Sequence, residues 1–113
     1  MRKILLVILL AGGAGTSPLA ISGYWSGEEL YDYCTSKDPE FNAWCHTYIA
    51  AVADTHETLS IQTRGDLVCK PDAVTPSELT KKFMAYARVH PEQLKTTASD
   101  SVGRALATYY PCE

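Results

Sequence analysis

Between Phe41 and Leu59 the apolar positions are Phe41, Trp44, Cys45, Tyr48, Ile49, Val52, His56 and Leu59. They recur at steps of three and four, the period of one helical face, and nowhere alternate as a half-buried strand would. The start of this helix is marked too. Asp38 is placed to cap it, Pro39 suits its first position, and Glu40 complements the positive end of its dipole. The pattern predicts a long central helix from about Pro39 to about Leu59.

The same signals place three further helices around it. Ser26-Gly27-Glu28-Glu29 has the form of a capping box, in which the serine bonds the N3 amide and the glutamate reaches back. It opens a short helix to about Cys34, with Leu30, Tyr31 and Cys34 on one face; Thr35–Asp38 is the turn. Thr75-Pro76-Ser77-Glu78 is a second capping box with proline at the first helical position. The helix it opens buries Leu79, Phe83, Tyr86 and Ala87, with Met84 at the margin, and stops at His90-Pro91-Glu92. A last helix starts near Thr97, buries Ala98, Val102, Ala105, Leu106 and Tyr109, and ends at Tyr110-Pro111-Cys112. Ser60–Val74 is the longest stretch without helical period, with turn signals at Arg64-Gly65-Asp66 and Lys70-Pro71-Asp72. The expected fold is all-α, a small antiparallel bundle of about four helices.

Composition changes this picture at its ends. Arg2 and Lys3 precede the apolar run Ile4–Ala11, too short to span a bilayer, and small residues follow. Residues 1–22 therefore read as a secretory signal peptide, cut after Ala20 or Ser22, with residues 23–113 as the exported domain. Removing residues 1–22 takes two of the 10 basic residues and none of the 13 acidic ones, which leaves a formal charge of −5. Such a domain is a poor ligand for nucleic acid or, once the signal is gone, for an anionic membrane; a basic protein partner suits it better. All four cysteines, Cys34, Cys45, Cys69 and Cys112, lie in the exported part. An even count in a short exported domain reads as a disulfide framework, and no CxxC pair suggests zinc.

Candidate chemistry is thin. Cys45-His46 has the residue types of a thiol nucleophile and its base, but adjacent helical residues do not face each other, and an oxidised cysteine is no nucleophile. Asp54-Thr55-His56-Glu57 lacks the HExxH spacing that sets two histidines on one helical face. His56 reads instead as the edge of the apolar stripe. There is no GxSxG and no glycine-rich phosphate loop. No enzyme, metal or cofactor is expected. Asp54 stands out because an aspartate late in a helix opposes the dipole, so it either holds a specific partner or is solvated on the outer face.

Read in order, the residues resemble the immunity proteins that neutralise amidase effectors of bacterial type VI secretion (the Rap/Tai type). The resemblance is carried by Trp44-Cys45, Tyr48-Ile49 and Val52-Ala53-Asp54, and then by Cys69, Pro71, Val74-Thr75 and Leu79. His90-Pro91-Glu92 follows, and after it Ala98, Val102, Ala105-Leu106 and Tyr110-Pro111-Cys112. Thr47 and Ala51 stand where that pattern often has glycine, and Glu78 where it has glutamine. The resemblance implies a periplasmic, helical, disulfide-stabilised protein, often a homodimer, that binds a peptidoglycan amidase and blocks its cleft without catalysis of its own. A small periplasmic stress protein or chaperone is the alternative.

Four cysteines allow three connectivities. Cys34 ends the first helix and Cys45 lies early in the second, while Cys69 precedes the third and Cys112 follows the fourth, so Cys34–Cys45 and Cys69–Cys112 are expected. Asp54, Tyr48, Pro71, Thr75 and Pro111 are expected to be structural, Asp54 by accepting backbone amides from Cys69–Thr75. The Ser60–Leu67 loop and the helix end beside it are the expected partner-binding surface, through Glu57, Ile61, Arg64, Asp66 and Leu67.

Overall fold

A computed structural model of the chain describes residues 23–63 and 68–113, together with Gly13. The expected signal peptide, Gly13 apart, lies outside the described residues. Among the described residues there are four α-helices, α1 (Gly27–Thr35), α2 (Pro39–Thr63), α3 (Pro76–Val89) and α4 (Ala98–Tyr109), with a 3-10 helix, Pro91–Lys95, between the last two. Each α-helix packs on the next and α4 returns to α1 and α2, which closes the bundle. Leu30, Ile49, Phe83, Val102 and Leu106, drawn from all four, are fully buried at its centre.

The helix starts follow local chemistry. In α1 the Ser26 hydroxyl accepts the Glu29 amide at 3.2 Å while the Glu29 carboxylate accepts the Ser26 amide at 2.8 Å. Thr75 and Glu78 repeat that exchange at the same two distances at α3. Each pair satisfies two amides that a helix end otherwise leaves open. Asp38 caps α2 through the Glu40 amide at 2.9 Å, and Thr97 caps α4 through that of Asp100 at 3.2 Å. The disulfides pair Cys34 with Cys45 and Cys69 with Cys112, as expected, each with Cα atoms 5.1 Å apart.

The structure differs from expectation in four places. The second helix runs on to Thr63, so residues 60–63 are helical rather than loop; no glycine or proline stands there to stop it. Its buried stripe is Cys45, Ile49, Val52 and Ala53, whereas Trp44 and Leu59 are 43% and 39% exposed. Tyr109 is 37% exposed, its ring lying 4.8 Å from the Lys82 ammonium instead of in the core. Finally, the chain after Pro91 forms the 3-10 helix and buries Leu94. That turn matters to α1. The Gly27 amide donates to Thr96 O and the Ala98 amide to Trp25 O, both at 2.9 Å, so the start of α1 is stitched to the start of α4.

Candidate partner-binding surface

Of the five residues expected to bind a partner, Glu57 is exposed on α2 and sits 3.6 Å from the Lys70 ammonium. Ile61 lies in the last turn of α2. Its side chain, together with Arg64, Asp66 and Leu67, lies outside the described residues. Lys70 is the contact that sequence reasoning missed: its side chain is only 19% exposed against 62% for Glu57. The pair joins α2 to the segment pinned by Cys69. The two charges are thirteen positions apart in the chain, so no local spacing announces it.

Asp54 does not make that tie. It is exposed, and three of the amides it was expected to engage are otherwise used. Cys69 donates to Tyr110 O at 2.9 Å, Val74 to Pro71 O at 3.2 Å and Thr75 to Glu78 Oε2 at 2.8 Å. Asp54 is solvated on the outer face, the second of its two readings. Pro71 lends its carbonyl to that turn and Thr75 caps α3. Tyr48 lies half-buried, its ring 5.2 Å from that of Trp25. Pro111 is exposed just after α4, whose end is closed by the Tyr110 amide on Leu106 O.

The exposed side of α1 and α2 holds a feature that sequence reasoning passed over. Tyr33 sits at the centre of an aromatic cluster, its ring centroid 5.2 Å from Trp25, 5.2 Å from Phe41 and 6.0 Å from Trp44. Phe41 and Trp44 meet edge-on at 5.4 Å. These are attractive offset and T-shaped contacts. Beside the cluster lies an open groove of about 480 Å³ lined by Trp25, Trp44, Thr47, Tyr48 and Ala51. The helical period signalled that Trp44 and Tyr48 share a side of α2; it could not say that this side stays partly uncovered.

Two smaller hollows flank α4. One, of about 320 Å³, is lined by His56, Asp100, Gly103 and Arg104 among others. Arg104 Nε donates to Asp100 Oδ2 at 2.8 Å, and this bond holds the Asp100 carboxyl below its ordinary range. The other, of about 470 Å³, lies between Lys81, Lys82 and Tyr109. Chemically these surfaces are suited to contact. Cys45 is committed to Cys34, so Cys45-His46 offers no thiolate. Among the described residues no three His, Cys, Asp or Glu side chains are grouped to hold a metal ion.

No curated protein matches the chain. The sequence model of the Rap1a immunity proteins does, over residues 26–112. That span opens on the serine that caps α1 and closes on the cysteine that ties down the end of α4, so it takes in all four helices and both disulfides. A match of that extent, on a disulfide-bonded helical bundle whose cysteine pairing also agrees with the ordered motifs, makes this chain a member of the Rap1a immunity protein family.

Proposed function

We propose that the protein is an exported immunity protein that binds a peptidoglycan amidase effector of type VI secretion in the periplasm and covers its cleft, with no catalysis of its own. The family match over residues 26–112 carries this reading, since an immunity protein acts by binding an effector. The amidase target rests on the ordered motifs that resemble amidase-neutralising proteins. Export is supported by the N-terminal sequence and by two disulfides, which form and persist in oxidising compartments. On this reading the partner is met by the end of α2 and the loop after it, with Glu57 and Asp66 steering a basic cleft and Ile61 and Leu67 supplying apolar contact. A stable inhibitory complex of this kind covers on the order of 800 Å² on each partner. A homodimer is the working form that the resemblance supports.

The experiment is co-purification with the product of the neighbouring gene, followed by a cell-wall hydrolysis assay of that product. Stoichiometric inhibition is expected. An amidase that neither binds nor slows in the presence of excess protein overturns the reading. Charge reversal of Glu57 and Asp66 together is expected to weaken the complex; an affinity within threefold of the parent removes that surface from it.

A further inference from the structure

We infer that the groove lined by Trp25, Trp44, Thr47, Tyr48 and Ala51 is a docking site for a cationic protein surface that seats an apolar side chain between the two tryptophans. This deepens the reading above and rests on its premise that the chain binds a protein partner.

The groove has the make-up of an interface centre. Its walls are aromatic, and its floor is made by Thr47 and Ala51, two short side chains one helical turn apart on α2. Trp44 leaves 43% of its surface uncovered in a chain whose other tryptophan, Trp25, is half-buried across the groove. Tryptophan and tyrosine in partly desolvated pockets are the side chains that dominate binding energy. The walls are also fixed before any partner arrives. Trp25 packs on Tyr33 and Tyr48 at 5.2 Å each, Trp44 packs on Phe41, and the buried Cys34–Cys45 bond locks α1 to α2 behind them. Little ordering cost remains to be met on binding.

Charge selects the occupant. Residues 27–63, which form α1 and α2, carry seven acidic side chains (Glu28, Glu29, Asp32, Asp38, Glu40, Asp54 and Glu57) against the single Lys37. Residues 68–113 carry five acidic and six basic ones. The acidity of the exported domain is therefore concentrated in the half that bears the groove. Along α2, Glu40 lies one turn before Trp44 and Asp54 one turn after Ala51, so a carboxylate stands at each end of the apolar stripe. Asp54, badly placed for helix stability, is well placed to meet a lysine or arginine flanking the inserted side chain. A second copy of this chain would bring two such acidic faces together and be repelled.

The test uses the exported domain with both disulfides intact. Calorimetry measures its affinity for the amidase recovered by co-purification, and tryptophan fluorescence follows titration with a tryptophan-free peptide of lysines flanking a phenylalanine. Both tryptophans of the chain line the groove, so a seated side chain shifts their emission to shorter wavelength. Ala51→Arg, at an exposed position, fills the groove without touching the core; Trp44→Ala removes a wall; Glu40→Lys with Asp54→Lys removes the charges. With native thermal midpoints, each is expected to weaken amidase binding at least tenfold, and the double variant to flatten its salt dependence. Amidase affinity within threefold for both Ala51→Arg and Trp44→Ala overturns the inference while leaving the immunity reading in place. If the parent protein does not bind the amidase, that reading falls and the peptide decides. A blue shift that Ala51→Arg abolishes supports the docking site, and no shift overturns it. Variants that instead abolish self-association in sedimentation also overturn it, because the groove then serves a second copy.

Discussion

The two disulfides should come apart one at a time, and the one contributing more to stability should open first. Cys34 and Cys45 are 8% and 0% exposed, sealed between α1 and α2, whereas Cys69 is exposed and Cys112 half-buried. A dithiol reductant must bring its thiolate onto a sulfur atom, so access decides the order. In native conditions Cys69–Cys112 is the reachable bond. Chain-entropy reasoning runs the other way: sequence separations of 11 and 43 residues correspond to about 3 kcal/mol for the inner bond and about 4 kcal/mol for the outer. For a domain of this size each kcal/mol moves the thermal midpoint by roughly 4–8 °C, so opening the outer bond alone should lower it by about 15–30 °C.

The assay is brief reduction with dithiothreitol below the thermal transition, alkylation, peptide mapping and a melt of the two-thiol species. Labels should appear on Cys69 and Cys112 while Cys34–Cys45 stays intact. Equal labelling of all four cysteines in the folded protein would refute the access argument. A midpoint lowered by less than about 5 °C would refute the magnitude instead. It would mean that native contacts such as the Cys69 amide on Tyr110 O, at 2.9 Å, already hold those ends together.

The two described helical glycines should respond differently to alanine. A methyl at Gly27 meets the Ser101 hydroxyl and the backbone Cα and O of Leu94, the latter two at 2.8 Å, so Gly27→Ala should cost about 1–3 kcal/mol in urea denaturation. At Gly103 the neighbour is the rotatable His56 imidazole, at 2.8 and 3.0 Å; there a helix-propensity gain of up to about 1 kcal/mol offsets the crowding, and a larger loss than at Gly27 would contradict this picture. Glu78→Gln should keep the cap, since glutamine also closes a capping box, while weakening acid sensitivity. The Thr75 amide, and then its hydroxyl, hold the Glu78 carboxyl below its ordinary range. Its contribution is thus present above the unfolded value of about 4.3 and lost as pH falls through the lower folded one. Melts between pH 5 and pH 3 check this; parallel curves for parent and variant would count against the cap as a source of acid sensitivity.

What the sequence made legible was local. Both capping boxes span four residues and both proved correct, because an amide and a carboxylate that close in sequence need no tertiary information. The disulfide pairing followed from which helix ends a hairpin brings together. The stop at Pro91 was legible too, but not the 3-10 helix after it, since burial of Leu94 beneath α1 depends on where Gly27 sits. The expected surface was placed on a loop because loops usually carry binding residues. Part of that loop, residues 60–63, is helix, and Glu57 already faces Lys70.

The central helix shows why periodicity alone misplaced the exposed aromatics. Its apolar residues occupy more than one face: Cys45, Ile49, Val52 and Ala53 turn into the core, while Phe41 and Trp44 meet Tyr33 of α1 and Tyr48 meets Trp25 just before it. A sequence pattern of steps of three and four joins both sets into one stripe, because it does not show how wide an arc the neighbours cover. Here α1 has nine residues against twenty-five in α2. The second set spans residues 41–48, no more than α1 itself, so Trp44 remains partly open because of the side of α2 it occupies and not because its neighbour is short. Aromatic surface is thus left uncovered next to the buried disulfide that ties α1 to α2. Residues 27–63 carry seven carboxylates against one lysine, and that charge is what suits the surface to the cationic partner proposed for it.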